Sequence, residues 1–204
     1  MPRPTRSERQ AKTRADLLAA AARVFARRGY DAASVGEIAE EAGYSHGAVY
    51  SNFEGKADLF LALYEDWVAR RVAEIEAAWS REGTLAERAR AAADDWMRTF
   101  ANDPEPFLLR LEFTARAARD PELRRKLGTR VGAVPLAIRR LVDEAAEVEL
   151  PLPADELALG LQALSLGLAL EALGNPDAVR PGVGGDLAAL LIELLEQRGA
   201  RRRR

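Results

Sequence analysis

The 204-residue chain has no cysteine and one histidine, His46. Disulfides, thiol nucleophiles and thiolate metal sites are therefore excluded. A Ser–His or Cys–His pair, or a histidine zinc site, has almost nothing to be built from. No segment alternates apolar and polar residues with the period of two that marks a half-buried strand. The apolar run Leu17 to Ala22 ends at Arg23, too soon for the core of a secretory signal, so no signal peptide is expected. Leu157 to Leu173 is apolar nearly all round, but it spans about 17 residues where a membrane crossing needs roughly 20, and it contains Gln162 and Glu171. It reads as a buried helix rather than a span. Carboxylates are plentiful but interleave with bases at helical spacing, as in Glu112 with Arg116 and Glu122 with Lys126, the pattern of a solvated face. No catalytic residues, metal site or cofactor are expected, and the chain is expected not to be an enzyme.

What is present is charge asymmetry. The net charge is −2. Residues 1–28 nevertheless carry eight Arg and Lys against only Glu8 and Asp16, a net of +6, which leaves −8 on the remainder. A basic arm on an acidic body suits a protein that meets phosphate with one end. Arg9, Lys12 and Arg14 are candidate phosphate contacts, whereas the leader before Ser7 and the closing Arg201–Arg204 read as solvated tails.

Ser34 to Leu59 carries the informative pattern. Ser34 with Glu37 three residues on forms a capping box, and Val35, Ile38, Ala39 and Ala42 share one face. Gly43 ends that helix, Tyr44 makes a turn, and Ser45 caps a second short helix to about Ser51 with Ala48 and Val49 inward. Two turns of helix are not stable alone, so neighbours must hold them, leaving Ser45, His46, Gly47, Tyr50 and Ser51 to face a groove. Upstream, a helix over about Ser7–Arg28 has Leu17, Leu18, Ala21, Val24 and Phe25 as its inner stripe.

These residues resemble the DNA-binding signature of the TetR-type transcriptional repressors. Ile38-Ala39, Ala42-Gly43, Ser45-x-Gly47-x-x-Tyr50-x-x-Phe53-x-x-Lys56-x-x-Leu59, and upstream Leu17-Leu18-x-Ala20-Ala21 with Phe25-x-x-x-Gly29-Tyr30, match at that family's spacing over about residues 9–64. Ser34, Tyr44 and Asn52 depart from its usual residues. The resemblance implies an all-α fold, with a three-helix helix-turn-helix head over 1–56 and an effector-binding and dimerisation domain over 57–204. It implies a cytoplasmic homodimer on a palindromic double-stranded operator, released by a small apolar or amphipathic effector. Expected DNA-binding residues are Arg14, Ser34, Ser45, His46, Gly47, Tyr50, Ser51, Asn52 and Lys56. Of these, Ser34, Ser45, Tyr50 and Lys56 are expected on phosphates and His46, Gly47 and Ser51 on bases.

The body reads as at least five helices: Thr84–Ala101, Glu105–Arg119, Glu122–Ala146 kinked or split by Pro135, Pro153–Leu173, and Asp186–Gln197 after the loop Gly182–Gly185. Trp96 and Phe100, and Phe107 and Leu111, are spaced to share helix faces, where they are either plain core or a cavity wall. With Glu112, Arg116 and Glu171 as polar groups, they are the expected ligand site. The helices 154–173 and 186–197 are the expected dimer interface, with monomer core as the alternative. The same fold acting on DNA without an effector, or a helical binding module that no longer reads DNA, are the competing functional readings.

Overall fold

In a computed structural model, residues 5–130, 132–146 and 150–202 are described, and among them the chain is helical with no strand. The helices are α1 (Arg6–Ala32), α2 (Val35–Ala42), α3 (His46–Tyr50), α4 (Lys56–Trp79), α5 (Leu85–Asn102), α6 (Glu105–Ala117), α7 (Pro121–Gly128), α8 (Ala133–Ala145), α9 (Ala154–Gly174) and α10 (Val183–Arg202). Local signals set several starts. Thr5 with Glu8, Ser34 with Glu37 and Thr84 with Glu87 form complete capping boxes at α1, α2 and α5. Asp120 caps α7, with Pro121 in its first turn.

Two compact units emerge, and neither is continuous in sequence. The first takes the chain up to Trp67 together with Glu105–Arg130; the second takes Val68–Pro104 and the chain beyond Arg130. The first therefore reaches past the expected 1–56 segment, for a packing reason. Phe60 of α4 is fully buried and stacks on Phe113 of α6, with ring centroids 4.2 Å apart. Tyr30 meets both rings edge-on, at 5.3 Å and 4.9 Å. Burying each ring contributes on the order of 2 kcal/mol, and the edge-to-face geometry adds a further fraction. Leu17, Val24, Phe25, Ile38 and Val49, all fully buried, complete this core.

In the second unit, α5 and α10 pack along Ala89, Ala92, Ala93, Ala188 and Ala189. Sequence reading puts Gly182–Gly185 in a loop. Instead α10 starts at Val183, and Gly184 and Gly185 are buried in its first turn. Their missing side chains permit the approach: a Cβ on Gly185 would collide with the Asp94 carboxylate, which accepts the Gly185 N–H at 3.2 Å. Pro135 lies in the first turn of α8, and the split from α7 falls before it. The all-round apolar α9 is only partly buried within the single chain. Only Leu157, Ala158, Leu161 and Ala169 are inside, while Leu159 is 61% exposed. With a mean hydropathy of 1.6 over its most apolar window, it is also the one helix among the described residues long and apolar enough to cross a membrane, a test that the core helix of a globular domain passes as well.

Candidate nucleic-acid interface

α2, its turn and α3 form the expected helix-turn-helix. Ser34 Oγ accepts the Glu37 N–H at 3.1 Å and the Glu37 carboxylate accepts the Ser34 N–H at 3.0 Å. Gly43 ends α2 at φ 73°, a left-handed conformation that glycine adopts without a Cβ clash. The Tyr44 hydroxyl donates to Asp16 at 2.8 Å, tying the turn to α1. Ser45 Oγ accepts the Ala48 N–H, and Val49 is fully buried. Ser45, His46, Gly47, Tyr50 and Ser51 are all exposed, Tyr50 by 59%. One face of α3 is thus held by the core while the other is presented outward.

Three expected contact residues make bonds within the head. The Lys56 ammonium donates to the carbonyls of Tyr30, Asp31 and Ala33 at 2.8, 3.0 and 3.0 Å. These carbonyls close α1, where the chain kinks at Gly29 (φ 73°) and the last acceptors lack helical partners. Lys56 also lies 4.7 Å from the Tyr30 ring centroid, and burial pushes its pKa down. Within the head it acts as a clamp on the end of α1. Arg14 spans Asn52 O at 3.2 Å and the Phe53 ring at 4.3 Å, bracing the end of α3. The Asn52 amide donates to Ala48 O at 2.8 Å. A shallow groove of about 310 Å³ lined by Ser7, Gln10, Arg14, Ser51 and Asn52 runs beside them.

Much of the basic surface of α1 is also engaged. Arg23 and Arg27 both grip Glu41, and Arg28 grips Glu37. These guanidiniums hold both carboxyls below the usual carboxylate range, helped at Glu37 by Ser34. Lys12 pairs with Asp16 at 2.7 Å. Sequence reasoning missed this α1–α2 lattice, although Glu37 and Glu41, four apart on one helix, were its visible half.

The glycines refine the reading face. Around Gly47 a Cβ would meet only Ser45 Oγ, at 3.7 Å, so nothing within the protein requires glycine there. Inside a helix it costs about 0.5–1 kcal/mol relative to alanine. Gly36 is different: its Cβ would lie 2.8 Å from His46 Nε2, so the histidine ring rests in the space that glycine leaves.

The residues expected to hold a ligand fall in both units. Trp96 and Phe100 belong to the second unit, with ring centroids 6.4 Å apart; Phe107, Leu111 and Glu112 belong to the first. Glu112 accepts the Tyr30 N–H at 2.6 Å, so its carboxylate holds the kink of α1. Arg116 pairs loosely with Asp31 at 3.9 Å, and Glu171 is exposed on α9. The second unit does hold a partly open cavity of about 30 Å³, with walls from Arg71, Ile75, Trp79, Ala92, Ile138, Leu161 and Ser165, none of them in the expected set.

Comparison with known proteins agrees with this architecture. Residues 17–63 match the family model for bacterial regulatory proteins of the tetR family, and residues 85–200 match that of the BetI-type transcriptional repressor C-terminal domain. The transcriptional activator FasR of Mycolicibacterium smegmatis is 31% identical over 162 residues, covering 79% of this chain and 73% of its own. The repressor AcnR of Corynebacterium efficiens is 31% identical over 152 residues, 73% of this chain and 70% of its own. Among solved structures, a transcriptional regulator from Pseudomonas aeruginosa superposes with a TM-score of 0.75 at 24% identity, covering 95% of both chains. FadR from Bacillus subtilis in complex with stearoyl-CoA superposes at 0.69 with 20% identity, covering 89% and 96%. With its helix-turn-helix and its C-terminal helices both matched, the chain belongs to the TetR family of transcriptional regulators.

Proposed function

We propose that this regulator is a cytoplasmic, homodimeric, non-catalytic repressor that grips a near-palindromic operator and is released by a small apolar or amphipathic effector. The observation that carries the DNA-reading part is the outward face of α3. Ser45, His46, Gly47, Tyr50 and Ser51 are exposed on a helix whose other side is anchored, and Gly47 is a glycine that the protein's own packing does not need. Ser34, Ser45 and Tyr50 act on phosphates and His46, Gly47 and Ser51 on base edges. Dimerisation uses α9 and α10, because Leu159, Leu170, Leu190 and Leu194 are exposed there and Gly160 and Gly167 face open space. Such apolar area on a helix pair calls for a partner. The two heads then meet half-sites roughly 34–36 Å apart, about one turn of DNA.

Ligand response draws support from the FadR likeness, since that relative was solved with stearoyl-CoA. A second reading, the same DNA-binding protein without an effector, draws on the cavity, whose 30 Å³ holds about one water as it stands. One assay separates them. DNA from the region upstream of the protein's own coding sequence is titrated with the protein, then challenged with a panel of metabolites and drugs. Release by a compound supports the first reading, and binding that no compound alters supports the second. Failure to select any near-palindromic site, from that DNA or from a random-sequence pool, refutes the operator assignment. Leu190→Glu with Leu194→Glu is expected to yield a monomer in sedimentation; an unchanged dimer refutes the interface.

A further inference from the structure

The cavity of the second unit is lined by a half-buried cation to which the DNA-reading face assigns no role. Arg71, on the second half of α4, keeps only 16% of its side chain exposed. Its guanidinium lies 5.1 Å from the centroid of the Trp96 ring. Nη2 donates to Ala92 O at 3.1 Å and Nη1 to Glu74 at 3.4 Å. Glu74 is a weak counter-ion: the contact is long, and its own side chain is 38% exposed. Asp95, the other carboxylate whose field reaches Arg71, is bonded to Arg81 and Arg98. The remaining walls are apolar, led by Ile75, Trp79, Ile138 and Leu161. The Ser165 hydroxyl donates to Leu161 O at 3.1 Å.

A guanidinium largely shielded from water with a partial counter-ion attracts anions, and its planar fork fits the paired oxygens of a carboxylate or phosphate. Apolar walls beside it favour a hydrocarbon chain and disfavour a second charge. We propose that Arg71 anchors the head of an anionic amphipath, an aliphatic chain ending in a carboxylate or phosphate. Its tail enters between Ile75, Ile138 and Leu161 as these side chains part, and its head takes the place of Glu74 on the guanidinium. The cavity in its closed form is the seed of that pocket. The inference rests on the ligand-responsive reading for its regulatory meaning, and it names the class of effector.

The test uses the full chain, followed by tryptophan fluorescence and calorimetry, with decanoate, decyl phosphate, decanol and decyltrimethylammonium as probes. Saturable binding of an anion at least tenfold tighter than decanol is expected, with the ammonium weakest; the tighter anion identifies the head group. Arg71→Gln is expected to erase the preference for anion over alcohol while leaving decanol affinity unchanged. Leu161→Trp, which fills the cavity, is expected to remove both. If Arg71→Gln does not fold, a weakened preference in Arg71→Lys together with Leu161→Trp decides the matter. Equal affinity for decanoate and decanol, or a preference that survives Arg71→Gln, overturns the proposal. DNA release is scored separately: an anion bound through Arg71 that leaves DNA binding intact overturns the ligand-responsive reading but not the site. Release by neutral or cationic compounds independent of Arg71 overturns the anionic class but not the regulator.

Discussion

Replacing Lys56 with methionine separates two roles for this residue that a sequence pattern cannot distinguish. The ammonium makes three short bonds to carbonyls at the end of α1. A hydrogen bond to a charged group contributes roughly 1.5–3 kcal/mol. The three share one ammonium, the site is partly exposed, and removing the lysine relieves the cost of its burial. A net loss of about 2–3 kcal/mol is therefore expected rather than the sum. For a chain of this size that lowers the melting point by roughly 4–12 °C. The salt dependence of DNA binding should not move, because no phosphate charge is lost. A lysine on phosphate would give the opposite result, an unchanged melting point and a log–log salt slope shallower by about 0.9. Calorimetric melting and fluorescence anisotropy on a labelled operator, at a series of salt concentrations, read both quantities. A shallower slope with unaltered melting would refute the clamp.

Other substitutions test neighbouring parts of the argument. Gly47→Ala is expected to raise the stability of the head by about 0.5–1 kcal/mol and to weaken operator binding at least tenfold; operator affinity equal to the parent's would remove Gly47 from the reading face. Glu37 and Glu41 have carboxyls held below their ordinary value of 4.5, so their contribution is complete above that pH and is lost as pH falls through the lower folded value. Acid unfolding followed by circular dichroism should therefore shift to lower pH in the parent than in Glu41→Gln, and identical curves would count against the α1–α2 ion pairs. Gly185→Ala forces a methyl into the Asp94 carboxylate and is expected to cost about 1–3 kcal/mol, read by denaturant unfolding; a neutral result would mean that α10 starts elsewhere.

The parts of this fold that were legible in the sequence are those written within one turn or one face. Ser34 with Glu37, Gly43 and Ser45 specify two helices and the turn between them through bonds that reach no further than four residues. What stayed hidden depends on distant partners. Lys56 is bonded to carbonyls 23 to 26 residues away, a cluster that exists only because α1 kinks at Gly29. Glu112 looked like half of a solvated i, i+4 pair, yet its partner is a backbone N–H 82 positions earlier. The glycines of Gly182–Gly185 resemble a loop when read alone; their helical use is set by α5, whose Asp94 caps the first turn. Trp96 and Phe107 illustrate the limit of helical spacing. It assigns a residue to a face, but the topology decides which unit that face belongs to.

The discontinuity of the first unit bears on how such regulators can be recombined. Exchanging DNA-binding heads between relatives to rewire an operator invites a cut near the start of α4, where the sequence signature ends. A graft made there would part Tyr30 from its own Phe60 and Phe113, and the kink at Gly29 from its carboxylate. The transferable cassette is therefore bipartite, residues up to Trp67 carried together with Glu105–Arg130. A finer exchange confined to the outward positions of α3 would leave that shared aromatic packing in place.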